Sequence, residues 1–204
     1  MRKVVIALGA ILLAIGAGIL LLARAEEQDA LCASCHSQPE TTYVHRTLAS
    51  RPVDLASAHA LAGVSSPTGA SERAAGCIDC HSAPGVRGRA QAMALGARDA
   101  LKWIAGLAQQ PAISTTPIGD QNCLKCHADA LTASRFDRHF HRLLPRWQQT
   151  DPRAGACVSC HAAHTIDGEA GLGFLARPRT EAVCEDCHRV MEIEGEGRAE
   201  WPDR

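Results

Sequence analysis

All ten cysteines of the chain fall in C-x-x-C-H units. The units are Cys32, Cys35 and His36; Cys77, Cys80 and His81; Cys123, Cys126 and His127; Cys157, Cys160 and His161; and Cys184, Cys187 and His188. Three chemistries use paired cysteines. Structural zinc takes four ligands, from two such knuckles or from cysteines and distant histidines. An odd number of knuckles does not pair evenly, and zinc has no need of a histidine directly after the second thiol. A disulfide framework accounts for an even cysteine count but leaves the histidines idle. Covalent c-type haem uses every part: two thiols form thioethers to the vinyl groups, and the adjacent imidazole binds iron as proximal ligand. The pattern predicts five covalently bound haem c groups.

Five histidines are left over: His45, His59, His139, His141 and His164. Five irons need five distal ligands, so each is a candidate, against the alternative of a solvent-exposed histidine. His164 follows His161 by three residues. His161 is tied to its own haem, so His164 is placed to face a neighbouring one. His139 and His141 are two apart and on a helix point about 200° away from each other, an arrangement suited to bridging two haems. Methionine is the other common axial ligand, and Met93 and Met191 are the only ones besides the initiator. Met191 lies just after His188, and Met93 lies in a helical stretch where methionine is more often core. Ten histidines on five irons leave no open coordination position. That describes an electron conduit.

The elements that hold these groups are unusual in composition. Of 204 residues 46% are apolar but only 3% aromatic, so the large side chains that usually fill a core are missing. The motifs occupy residues 32–188, about 31 residues per haem, too little to wrap each in its own domain. The haems must pack on one another and serve as the core. A net charge of −1 gives no sign of nucleic-acid binding.

Residues 4–23, VVIALGAILLAIGAGILLLA, are uncharged and follow Arg2 and Lys3. Such a helix spans a hydrocarbon core of about 30 Å. The competing assignment is a cleaved signal peptide, with "ARA" at 23–25 as its cleavage site. The run is longer than the usual apolar region of a signal, which favours a retained anchor. Either way the haem domain is exported, to the periplasm by the positive-inside rule. If the anchor stays, the eight residues from Arg24 to Leu31 keep the first motif near the membrane surface of the cytoplasmic membrane.

The expected organisation is therefore an anchor or signal segment at 1–25, a pentahaem domain at 26–191 and an acidic, flexible tail at 192–204. The fold class expected is mostly α with extensive loops, organised around a stack of covalent haems and preceded by one transmembrane helix. Gly, Pro, Ser and Thr mark loops at 63–71 and 111–119. Ala97, Leu101, Ile104, Ala105 and Ala108 fall on one face of a helix predicted over 92–109. A second helix is expected over 130–144, and no stretch alternates as a strand. Motif starts are separated by 45, 46, 34 and 27 residues; the first two intervals hint at a repeat, but sequence similarity between them is weak and none is claimed.

An anchor followed by closely spaced haem motifs resembles the NapC/NirT family of membrane-anchored multihaem quinol dehydrogenases. The likeness covers residues 1–164 best: "SAHALAGV" at 57–64, "GCIDCHSAPG" at 76–85, "CLKCH" at 123–127, "HFH" at 139–141 and "CVSCHAAH" at 157–164. The resemblance implies electrons taken from membrane quinol near the first haem and passed to a periplasmic redox protein. It also implies an acidic and a basic residue near the quinol, a region that Asp99, with Arg98 or Lys102, would occupy. Two features depart from the family. "CEDCH" at 184–188 adds a fifth motif to the usual four, and Gln38 stands where the family often has a methionine after the first motif.

The function expected is a relay between the quinol pool and a periplasmic partner. One alternative is an electron-transfer subunit of a larger membrane complex, docked on a quinol-oxidising membrane subunit and lacking its own quinol site. A second is a soluble periplasmic enzyme with one open haem iron.

Overall fold

The computed structural model describes residues 2–62, 74–111, 118–132, 139–151 and 155–190, with His139, Phe140 and Val190 in backbone only. The loop expected at 63–71, the centre of the one at 111–119, Met191 and the acidic tail lie outside the described residues. Those described are mostly helical. They contain no strand, only an isolated antiparallel bridge between Glu169 and Leu175.

The chain divides into two compact units, Met1–Val44 with Gly76–Ile113, and His45–Ala75 with Ser114–Arg204. The first unit opens with α1, Arg2–Ala25. Residues 2–22 are all exposed, twelve large apolar side chains among them. Covering such side chains is worth about 1.5–3 kcal/mol each, so together they outweigh the whole net stability of an ordinary domain, about 5–15 kcal/mol. This helix is long and apolar enough to cross a membrane, a test that a signal sequence also passes. At its end the Arg89 guanidinium donates to the Ala23 carbonyl at 2.8 Å and lies 3.4 Å from Glu26, placing positive charge where the helix dipole is negative.

Two short helices in this unit carry the first two motifs, α2 (Asp29–Cys35) and α5 (Cys77–His81), and they pack together. Between them in sequence come α3 (Glu40–Thr47), inside which the division into units falls, and α4 (Leu55–Ala62) of the second unit. After α5 comes α6, Gly85–Ile104. This helix begins and ends earlier than the periodicity over 92–109 predicts. Its opening, GVRGRAQ, has almost no apolar pattern; Gly85 takes φ +76, and Gly88 is there for space. A Cβ at Gly88 would collide with the Ala83 carbonyl. The stop is conformational: Gly106 takes φ +69, its N–H donates to Trp103 O at 3.0 Å, and that of Leu107 donates to Lys102 O at 2.8 Å. These two bonds are the Schellman ending, which glycine permits.

The second unit carries three motifs, on α7 (Asp120–Leu124) and the residues after it, on α9 (Cys157–Cys160), and within α10 (Arg177–Val190). The helix expected over 130–144 is instead a 3-10 turn at Ala128–Leu131 and then α8, His139–Thr150, which continues through Pro145. Residues 133–138 lie outside the described set. Among the described residues the buried apolar side chains are Trp147, Phe174 and Ala176, all in this unit. Gly155 lets α8 and α10 come close: a Cβ there would sit 3.1 Å from Val183 and 3.4 Å from Trp147. Three small contributions do not make a conventional core. The interior needs another filler.

Candidate functional site

Helices α2 and α5 bring the first cysteines of motifs 1 and 2 together. Asp29, in the first turn of α2, accepts the backbone N–H of Cys77 at 2.8 Å. The Cys32 and Cys77 thiols hydrogen-bond to each other, which lowers the Cys32 thiol pKa and raises that of Cys77. The second unit repeats this construction. Asp120, in the first turn of α7, accepts the backbone N–H of Cys157 at 2.8 Å. The Cys123 and Cys157 thiols hydrogen-bond, holding Cys123 down at about 7 and pushing Cys157 up. Asp120 is itself held by Gln148 of α8, whose amide also donates to Gly155 O at 3.0 Å.

Motif 5 joins this second group. Helices α9 and α10 pack together, and Cys160 is raised to about 11 by burial and then by nearby Cys184. None of the ten cysteines, all described, is in a disulfide. Among the described residues no three His, Cys, Asp or Glu side chains gather as direct ligands of a metal ion.

The histidines pair in the second unit. The rings of His59 and His127 have centres 5.8 Å apart at 87°, and those of His141 and His161 lie 6.3 Å apart at 18°. Two imidazoles on one iron, each bonded at about 2 Å, have ring centres about 6 Å apart. Either plane angle suits such a pair, because each ring turns freely about the shared axis. The backbone sets the tautomers. His59 Nδ1 lies 2.8 Å from Leu55 O and His161 Nδ1 lies 2.8 Å from Gly173 O. A carbonyl only accepts, so both Nδ1 atoms carry the proton and both Nε2 atoms keep a lone pair for metal. Burial, then neighbouring His161, lowers the pKa of His141, favouring the neutral form that binds metal.

The supports of these rings are specific. The N-terminus of α4, which carries His59, is closed by two fully buried side chains. Asp54 Oδ1 accepts the Ser57 N–H at 2.8 Å, and Ser57 Oγ accepts the Asp54 N–H at 3.0 Å, a capping box. Arg46 neutralises Asp54 at 3.2 Å and donates to the His164 carbonyl at 2.9 Å. Gly173, which receives His161, takes φ +65, and a Cβ there would lie 3.4 Å from that ring.

The remaining candidates are placed less completely. His45 is exposed on α3, and the side chain of His139 lies outside the described residues, so the bridging arrangement with His141 does too. In the first unit Gln38 is held by Thr42 at 3.0 Å. Asp99 lies half-buried between Arg98 at 3.1 Å and Lys102 at 3.8 Å. Met93 lies on α6. Sequence reasoning missed Asp29, Asp120, Asp54, Arg46 and Gly173. The first two had a signal, since D-x-x-C-x-x-C-H occurs at both 29–36 and 120–127.

The donor set fits covalent haem. Each cysteine pair lies on or beside a helix and is followed by an imidazole, and two pairs of imidazoles stand with ring centres at the spacing that two ligands of one iron would have. A family model described as cytochrome c3 matches residues 107–190, the stretch that carries motifs 3, 4 and 5. No curated protein and no solved structure matches the chain. Residues 107–190 are thus similar to the multihaem cytochrome c3 family, whose members bind haem c covalently and carry electrons.

Proposed function

We propose that this protein is a membrane-anchored pentahaem cytochrome c that relays electrons between the quinol pool of the cytoplasmic membrane and a periplasmic redox protein. The observation that carries the conduit is the close imidazole pairs, His59 with His127 and His141 with His161, beside cysteine motifs that the cytochrome c3 match covers. Bound haem supplies a one-electron iron couple, tuned by ligands, hydrogen bonds and burial. The chain's own part is to hold each group. Cys32, Cys35, Cys77, Cys80, Cys123, Cys126, Cys157, Cys160, Cys184 and Cys187 attach it. His36, His81, His127, His161 and His188 bind from the proximal side. His59 and His141 close two distal positions, and His45, His139 and His164 serve the other three. A set with no open iron excludes substrate chemistry at the metal and leaves transfer.

Support for the quinol end comes from the first unit. Arg89 ties α6 to the end of α1, and Gln110, just past α6, donates to the Cys35 carbonyl at 2.8 Å. Motif 1, the exit of the apolar helix and Asp99 with its two cations thus belong to one compact unit. Trp103, Ile104 and Leu107 in the same unit are exposed apolar groups of the kind found at a membrane interface.

The test is reduction of the purified, detergent-solubilised full-length protein by a menaquinol analogue. The expected result is haem reduction, slowed at least tenfold in Asp99→Asn. Haems that respond to dithionite but not to quinol would reject the quinol half and leave the conduit.

A further inference from the structure

We infer that Asp29 and Asp120 are positioning residues, each capping in trans the helix of the following motif and so fixing the spacing of two haems within a duplicated two-motif module. This deepens the conduit reading and rests on haem being attached.

The argument starts from equivalence. Asp29 and Asp120 each stand three residues before the first cysteine of their own motif, in DALC and DQNC. Each accepts, at the same 2.8 Å, the N–H of the first cysteine of the next motif, 48 and 37 residues away. The receiving segments are alike in sequence, RAAGCIDCHSA at 73–83 and RAGACVSCHAA at 153–163. Their local closures match as well: Gly76 N–H donates to Asp79 at 2.8 Å, and Ala156 N–H donates to Ser159 at 2.8 Å. Loops of different length lead to one geometry, so the geometry is what the two modules share.

The chemistry explains why an aspartate does this. The first N–H groups of a helix have no partner within it, and a carboxylate there satisfies one while opposing the positive end of the dipole. Here the carboxylate comes from the other motif's helix, so the cap is also a clamp. In the first module Gly76 makes room for it, since a Cβ would lie 2.7 Å from Asp29 Oδ1. In the second, Gln148 occupies the other oxygen. The clamped residue is itself a haem attachment point, so little slack separates the cap from the haem. The transfer concerned moves one electron, oxidising one motif's iron by one equivalent and reducing its partner's by one, with no bond or proton change at either carboxylate.

The test uses the full-length, haem-loaded protein and its Asp29→Ala, Asp120→Ala, Asp120→Asn and Asp120→Glu variants. Haem content is read by intact mass, and haem–haem orientation by the exciton couplet in Soret circular dichroism. Exchange of the Cys157 amide is followed by hydrogen–deuterium mass spectrometry. Each alanine variant should keep its haems, lose about half of the couplet and, for Asp120, exchange the Cys157 amide at least tenfold faster. Asparagine keeps an oxygen acceptor for the Cys157 N–H but turns its own N–H groups toward the Gln148 donor, so it should restore both signals only in part. Glutamate, which keeps the charge but moves the oxygen, should restore neither. Full haem content with a wild-type couplet in the alanine variants would overturn the inference. If they fail to load haem, a wild-type couplet in Asp120→Glu would overturn it instead. A wild-type protein without Soret absorbance would overturn the conduit reading along with it.

Discussion

The rings of His59 and His127 lie nearly perpendicular with centres 5.8 Å apart, although 68 positions separate them in the chain. Replacing His59 with alanine should leave one iron without its sixth ligand and convert one haem to the high-spin ferric form. His141→Ala should do the same for another. Electron paramagnetic resonance of the oxidised protein reads this directly. Both variants remaining wholly low-spin would assign these imidazoles elsewhere.

The cap beneath His59 should matter to stability as well as to ligation. Asp54→Ala removes the N-cap of α4 and strips Arg46 of its buried counter-charge. Loss of a cap costs about 1 kcal/mol and loss of a partly exposed ion pair adds up to about 1 kcal/mol, so about 2 kcal/mol is expected in denaturant unfolding. Ser57→Ala should cost less, about 1 kcal/mol, because no charge is exposed. Equal effects would mean that the Arg46 contact contributes nothing.

Gly173 links backbone conformation to iron. At φ +65 an alanine is strained by about 1 kcal/mol, and its methyl would press on the His161 ring. Because Gly173 O fixes the tautomer and basicity of that ligand, Gly173→Ala should shift the potential of one haem and leave the others alone. Spectroelectrochemical titration measures it. Five unchanged couples would contradict the role.

The apolar helix makes a separate prediction. Carbonate-washed membranes should retain the full-length protein, and deletion of residues 4–23 behind an unrelated cleavable signal should release it to the periplasmic fraction. Release of the full-length chain without deletion would favour a cleaved signal.

The motifs, α1 and the all-helical character were legible in the sequence because each is local: five-residue units, one unbroken apolar run, no alternation. The limits of α6 were not, since Gly88 and Gly106 act through a neighbouring carbonyl and a positive φ, which hydrophobic periodicity does not register. Nor was the histidine pairing. Counting gives five spare imidazoles for five irons, but only the fold sets His59 beside His127 and His141 beside His161. Asp29 and Asp120 lay in plain view three residues before a cysteine, yet their targets are 48 and 37 residues downstream. A non-local partner leaves no mark on spacing. The weak intervals between motifs hid the repeat for the same reason: the modules share an arrangement and differ in loop length.

The account stands or falls on what occupies the interior, and intact mass spectrometry of the native, full-length protein measures that most directly. The predicted mass is that of the chain plus five haem groups, with a low-spin Soret spectrum. A chain mass with no haem added, or one raised only by zinc, would contradict it.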